Sequence, residues 1–117
     1  MVNKLESSLK KEYSTTKPLE IIHTDICGPM KESWLNGERN FLLFVDDFTR
    51  ITWLFLLKKQ YEAFNCFQVF KELIENEIDM KIKCLRSYNG GYFVSNLFKN
   101  YCDGNVIKTN FYATETP

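Results

Sequence analysis

The sequence predicts an α/β domain with a mixed β-sheet and the element order βββαβαβ. Three observations support this prediction: three β-rich runs follow one another in the first half, a long amphipathic segment comes next, and two further β-rich runs flank a short helical pattern. A helix between two strands normally makes a right-handed parallel crossover. An antiparallel meander followed by two such crossovers therefore indicates a mixed sheet with helices packed on it.

The composition is that of a folded chain. Its 117 residues are 44% hydrophobic and 15% aromatic, and a chain of this length fits one domain with a real core. Fifteen basic residues balance fifteen acidic ones, so no overall field attracts nucleic acid or anionic membranes, and such contacts would depend on local patches. No apolar run approaches the roughly 18 residues of a membrane helix.

The cysteines and the N-terminal segment give further expectations. His23 is the only histidine and no CxxC pair is present, which excludes a structural zinc site of the usual spacing. The cysteines are predicted to be reduced, mostly buried thiols, and an intracellular protein is expected, with nucleus or cytoplasm left open. Residues 1–17 are predicted to be a flexible tail rich in Ser, Thr and Lys, and residues 18–117 to be the domain. The four cysteines are Cys27, Cys66, Cys84 and Cys102.

The first three strands are predicted from β-branched and apolar runs at Leu19–Cys27, Phe41–Val45 and Arg50–Leu57. Alternation gives the first strand two faces. One face holds Ile22, Thr24 and Ile26, and the other holds Ile21, His23, Asp25 and Cys27. Asp46 and Asp47 lie between the second and third strands, where they form either a cation site or an acidic hairpin turn, and the turn is preferred.

The remaining elements follow from a change of period. Spacings of three and four between Tyr61 and Ile78 predict a long helix whose polar face includes Glu75. Its predicted core positions are Phe64, Phe67, Phe70, Leu73 or Ile74, and Ile78. A strand at Lys81–Ser87, a helix at Asn96–Cys102 with Leu97, Phe98 and Tyr101 as its apolar residues, and a strand at Val106–Phe111 complete the order.

Four motifs carry a family resemblance. The stretches KPLEIIHTDICGPM, NFLLFVDDFTRITWLFLLKK, EAFNCFQVFKELIENE and IKCLRSYNGGYF resemble the integrase catalytic core of copia-type retrotransposons, of the ribonuclease H-like fold. The resemblance covers roughly Lys17 to Pro117. It implies a partial integrase core, truncated before the C-terminal helices, with a family role in DNA integration and nucleic-acid binding.

The resemblance also implies a site. In the family, three carboxylates hold two divalent ions, Mg²⁺ or Mn²⁺, for attack on a phosphodiester. Asp25 matches the first acid, whereas Tyr88 stands at the second and Tyr92 replaces a glutamate of the same motif; the third acid is expected beyond the ATETP stretch. Asp25 is therefore a vestigial metal ligand, productive metal binding is not expected, and the chain is predicted to be catalytically inactive.

Other interpretations remain open. Taken without the motif, Asp25 is better interpreted as an edge-of-strand acid bonded to a neighbouring backbone group, and His23 as a core or boundary residue and not as a base or ligand. A basic track could contact DNA, although a solvated surface accounts for it equally well; it comprises Lys58, Lys59, Lys81, Lys83, Arg86 and Lys99. The alternative function is a non-catalytic module that binds itself or an intact integrase.

Overall fold

A computed structural model describes residues 15–88 and 95–112. Within these residues, five strands form one sheet in the order β3-β2-β1-β4-β5. The elements are β1 Ile22–Cys27, β2 Asn40–Asp46, β3 Thr52–Leu57, a 3₁₀ turn Gln60–Glu62, α1 Ala63–Ile78, β4 Cys84–Ser87, α2 Asn96–Gly104 and β5 Lys108–Phe111. The element order predicted from the sequence is confirmed.

The pairing makes the sheet mixed, as predicted. β1 pairs with β2 and β2 with β3 in antiparallel register, whereas β1 pairs with β4 and β4 with β5 in parallel. Strands β1, β3, β4 and β5 consequently run in one direction, and their C-terminal ends share one edge of the sheet. We call this the carboxyl edge.

One face of the sheet carries the core. Ile22, Leu42 and Phe44 are fully buried there, and Phe67 and Phe70 of α1 pack on them. The rings of Phe44 and Phe70 stack at 4.3 Å with an interplanar angle of 4°. Each such side chain contributes roughly 1.5–3 kcal/mol of burial free energy, so this aromatic cluster holds α1 on the sheet.

The opposite face, which we call the open face, is more exposed. Its alternate positions on β1, β2 and β3 are partly or fully exposed to solvent. Leu54 and Leu56 of β3 are 55% and 38% exposed, although both are large apolar residues. The open face of these strands consists of His23, Asp25, Cys27, Phe41, Leu43, Val45, Thr52, Leu54 and Leu56.

The structure decides the open helix positions and differs from the prediction at Glu75. Of the alternatives Leu73 and Ile74, Ile74 faces the core, and of the apolar residues of α2, Leu97 is exposed. Glu75 was assigned to the polar face, but it is buried because its Oε2 accepts a hydrogen bond from Ile82 N at 2.8 Å and its Oε1 pairs with Lys71 Nζ at 3.0 Å. Buried charge is thus tolerated where backbone and side-chain donors meet it.

The start of α1 is stabilised by Glu62. The sequence predicts that this helix begins at Tyr61, a residue whose side chain does not cap a helix. Instead, a 3₁₀ turn precedes α1, and Glu62 Oε1 accepts hydrogen bonds from Lys58 N at 3.0 Å and Lys59 N at 3.3 Å. The backbone N–H groups of the two residues that precede the turn are thereby bonded, as in a capping box.

The first described residue, Thr15, packs against the domain, and the cysteines are free thiols. Residues 1–14 lie outside the described residues, so the division into tail and domain stays a prediction; Thr15 is buried and bonds to Asp47. All four cysteines are free, and Cys84 and Cys102 are buried. Burial, with the charge of Asp103, raises the pKa of Cys102 to about 12. None of the helices in the described parts is long and apolar enough to cross a membrane.

Candidate active site

Asp25 lies on the open face of β1, near the carboxyl edge. It is opposite Leu43 of β2 in the antiparallel register. Its side chain is half-buried, and Oδ1 accepts a hydrogen bond from the backbone N of Ile26 at 3.0 Å. This contact is the one that the edge-of-strand interpretation requires, but it leaves the remaining lone pairs of the carboxylate available.

Tyr88 follows the last residue of β4 directly. The parallel ladder between β1 and β4 ends with Thr24 opposite Ser87. One further step places Asp25 beside Tyr88, on strands about 4.8 Å apart, and the alternation of side chains puts both on the open face. The fold therefore brings together the two positions that the sequence comparison paired. Asn89–Tyr92, the rest of that motif, lie outside the described residues.

Tyr112 is a neighbour that the sequence reasoning missed. Its ring stacks on that of Tyr88 at 5.1 Å, with an interplanar angle of 19°, and its backbone N donates to Ser87 O at 2.9 Å. The β4–β5 register pairs Ser87 with Phe111, so the next step pairs Tyr88 with Tyr112. The alternation of side chains on β5 indicates the face on which Tyr112 lies. The contact with Tyr88 follows only once β5 is known to pair with β4.

The donor set does not fit a two-metal centre. Mg²⁺ prefers hard, charged oxygen ligands in octahedral geometry, and a phenol does not supply the two charged oxygens of a carboxylate. At this point of the carboxyl edge, the described residues supply one carboxylate, that of Asp25. Among residues 15–88 and 95–112, no group of three His, Cys, Asp or Glu side chains could hold a metal ion.

A second polar cluster lies at the opposite end of β1 and is structural. His23 Nε2 lies 2.7 Å from Asp47 Oδ1, and Thr15 donates to Asp47 Oδ2 at 2.8 Å. Burial raises the pKa of Asp47, but these hydrogen bonds and the charges of His23 and Arg50 outweigh burial and lower it.

Asp46 has a different set of partners. It accepts hydrogen bonds from Leu19 N at 2.7 Å and Thr49 N at 2.8 Å. The bond from Thr49 N lies within the connection from β2 to β3 and is the geometry expected of an acidic turn, whereas the bond from Leu19 N joins this turn to the segment before β1. The turn interpretation is confirmed for Asp46.

The six basic residues of the predicted track do not form one line over Asp25. Lys58 and Lys59 follow β3 at the carboxyl edge, whereas Lys81 and Lys83 precede β4 at the other edge. Arg86 lies on β4, where its Nη2 donates to Asn110 Oδ1 at 3.3 Å, and Lys99 lies on α2. Lys58 and Lys59 therefore lie at the edge where Asp25 lies, whereas Lys81 and Lys83 do not.

Comparison with known proteins identifies relatives for most of the chain. It is 37% identical over 99 residues to the retrovirus-related Pol polyprotein from transposon TNT 1-94 of Nicotiana tabacum, a match that covers 85% of this chain. It is 41% identical over 81 residues, 69% of this chain, to the Pol polyprotein from transposon RE2 of Arabidopsis thaliana. The chain spans only 8% and 6% of the lengths of these two relatives.

A solved structure has the same fold. The HTLV-2 integrase catalytic core domain in complex with magnesium, in its dimeric form, matches with a TM-score of 0.55 and 22% identity. This match covers 80% of the present chain and 61% of that domain. No protein-family model matches the sequence.

Proposed function

Because this chain belongs to the copia-type retrotransposon Pol polyproteins and has the fold of an integrase catalytic core, we propose that it is an integrase core whose metal-dependent chemistry is lost at position 88. The family role is DNA integration. The observation that carries the proposal is the register that sets Tyr88 beside Asp25 on the open face. The family's first acid is present at this point, and a phenol stands where the second would be.

The loss follows from the demands of phosphoryl transfer. Two divalent ions about 3.5–4 Å apart stabilise the attacking and leaving oxygens of an in-line displacement, and bridging them requires several carboxylate oxygens. Asp25 alone supplies two oxygens, one of which already accepts a bond from Ile26 N. The stacked rings of Tyr88 and Tyr112 replace charge with apolar surface beside it.

A strand-transfer assay tests the proposal. The chain is incubated with a labelled DNA end and target DNA in the presence of Mg²⁺ or Mn²⁺, and we expect no joined product. Asp25→Asn is the matched control, because it removes the remaining acid without changing side-chain volume. Joining that requires metal and disappears in Asp25→Asn would refute the proposed inactivity.

The open face favours a second candidate function, that of a non-catalytic module that binds itself or an intact integrase. Leu54 and Leu56 expose apolar surface next to Leu43 and Phe41, their register partners on β2. Contiguous apolar surface of this kind marks interaction sites. The solved HTLV-2 integrase core is described in a dimeric form, which is a precedent for association of this fold.

Size-exclusion chromatography with light scattering tests this candidate. Leu54→Lys is expected to shift the chain toward monomer, because it places a charge in the contact. Leu73→Lys is the matched control, since Leu73 is exposed to a similar degree on α1. A wild-type chain that runs as a monomer at all concentrations and does not bind an intact relative would rule the candidate out.

A further inference from the structure

Three cationic side chains line a groove at the carboxyl edge. It has a volume of about 320 Å³, and Arg39, Lys58 and Lys59 line it together with Asn40, Gln60 and Tyr61. The three cationic residues are exposed, and Tyr61 is 71% exposed. The described residues that line the groove include no acid. It therefore differs from the groove beside α1, where Lys71 and Lys81 are both paired with Glu75.

An amide network anchored on the buried Asn40 lies along the groove. Asn40 is buried, and its Nδ2 donates to Lys58 O at 3.0 Å. Gln60 Nε2 donates to Asn40 Oδ1 at 3.1 Å and to Gly28 O at 2.8 Å. These bonds join the end of β1, the start of β2 and the residues after β3. The backbone positions from which Lys58 and Lys59 project are thus held before any ligand binds.

Gly28 fits this network only as glycine. Its φ of +129° disfavours any other residue, and a Cβ would lie 2.4 Å from Asn40 Oδ1 and 2.7 Å from Arg39 O. The chain therefore approaches Asn40 and Arg39 at a distance that excludes a side chain. This close approach brings the end of β1, and with it the segment that carries Asp25, against the groove.

The charges around the groove leave a positive excess. Arg39 donates from Nε to Met30 O at 2.6 Å and from Nη2 to Lys31 O at 3.3 Å, which positions the guanidinium without neutralising it. No ion pair joins Arg39, Lys58 or Lys59 to an acid within the described ranges. The carboxylate of Glu62 bonds the backbone N of Lys58 and Lys59, and among the described residues it forms no ion pair with either ammonium group.

We propose that this groove binds the phosphodiester backbone of duplex DNA without a metal ion. A guanidinium and two ammonium groups supply the donors that phosphate oxygens accept, and the Tyr61 ring gives an apolar surface for a sugar. Gly28 lies three residues beyond Asp25, or about 10 Å along an extended chain. A DNA backbone held in the groove therefore lies next to the former catalytic edge. The proposal rests on the proposed integrase origin for its choice of DNA.

The salt dependence of DNA binding tests the groove directly. Fluorescence anisotropy of a labelled DNA duplex is measured in EDTA between about 50 and 200 mM salt, the range in which phosphate contacts change affinity strongly. Each lost contact makes the slope of log K against log salt shallower by about 0.9. We expect Lys58→Gln/Lys59→Gln to lower the slope by about 1.8 and the affinity near 50 mM salt by roughly tenfold per contact.

A matched double variant controls for net charge. Lys83→Gln/Lys99→Gln removes the same charge from exposed lysines outside the groove, and we expect it to leave the slope near that of the wild type. Circular dichroism verifies that both variants are folded. Equal losses in the two double variants, or no loss in the groove variant, would overturn the proposal.

Two further results would also overturn the proposal that the groove binds DNA. Neither tests the proposed loss of metal-dependent chemistry. The first is absence of salt-dependent DNA binding by the wild-type chain. The second is an affinity for inorganic phosphate at constant ionic strength that equals or exceeds the affinity for the duplex, which would indicate a site for free anions. DNA binding is measured in EDTA and joining is measured with Mg²⁺ or Mn²⁺, so failure of the groove and failure of the proposed metal chemistry give different results.

Discussion

Tyr88 lies beside Asp25, one register step beyond the pair of Thr24 and Ser87, and the ring of Tyr88 stacks on Tyr112. A stacked pair of this kind contributes about 0.5–1.5 kcal/mol beyond its area burial. An aspartate at position 88 would lose this contact and would set two carboxylates side by side. The present residue thus favours stability at the edge, whereas the family's residue favours metal binding.

Tyr88→Asp is predicted to lower the stability of the fold and to gain metal binding. In EDTA, we expect the free energy of unfolding to fall by about 1 kcal/mol, because the stack is lost and two negative charges adjoin. Mg²⁺ or Mn²⁺ is expected to restore part of this loss, since it binds the folded state. Urea unfolding with and without metal measures both effects. Tyr88→Phe keeps the stack and is expected to show no metal response; an equal response in both variants would contradict the prediction.

Asp47 is predicted to make stability depend on pH. Its pKa is lowered in the folded state, so its contribution is present above the unfolded pKa near 3.9 and is lost as pH falls through the folded pKa. Asp47→Asn is expected to be less stable than the wild type by about 2 kcal/mol at pH 6, and the difference should shrink toward pH 3. Urea unfolding at both pH values measures this. Asp103→Asn, at an exposed position, is the control, and a difference that does not change with pH would contradict the assignment.

At the scale of elements, Glu75 connects α1 to the chain that enters β4. It accepts the backbone N–H of Ile82 and pairs with Lys71. Glu75→Gln is expected to destabilise the fold by about 2 kcal/mol, because it weakens a charge-assisted bond to a buried donor. Glu72→Gln, on the exposed side of the same helix, is the control for helix propensity. Equal unfolding midpoints for the two variants would show that the contact contributes nothing.

The elements themselves were largely predictable, because their periods are strong. Alternation on β1 assigned Ile22 and Asp25 to opposite faces correctly, and the aromatic spacing located α1. The errors lie where tertiary contacts override local pattern: Glu75 is buried by a backbone donor from Ile82, and Val106 is 83% exposed and precedes β5 in a left-handed conformation. Such positions depend on neighbours that a single sequence does not reveal.

The site was less predictable than the elements. Motif spacing paired Asp25 with Tyr88, and the parallel register places them together, but Tyr112 was missed because no motif links it to either residue. The groove of Arg39, Lys58 and Lys59 was also missed as a unit. Its members come from two strand ends that only the β2–β3 pairing brings together, and their sequence separation carries no signal.

For the whole molecule, the fold presents two different surfaces at and beside the carboxyl edge. The open face offers Leu54 and Leu56, while the groove offers cations around the Asn40 network. Association through the open face and DNA binding in the groove are separable, because Leu54→Lys and the lysine double variant change different surfaces. Gel filtration of the lysine variant and DNA binding by Leu54→Lys would show whether the two properties are independent.

The most direct test of the central claim is a calorimetric titration of the chain with Mg²⁺ and Mn²⁺, alongside Tyr88→Asp and Asp25→Asn. We expect no saturable binding by the wild type, measurable binding by Tyr88→Asp, and none when Asp25→Asn is combined with it. Saturable binding of two ions by the wild-type chain, abolished by Asp25→Asn alone, would contradict the claim that position 88 has ended metal-dependent chemistry here.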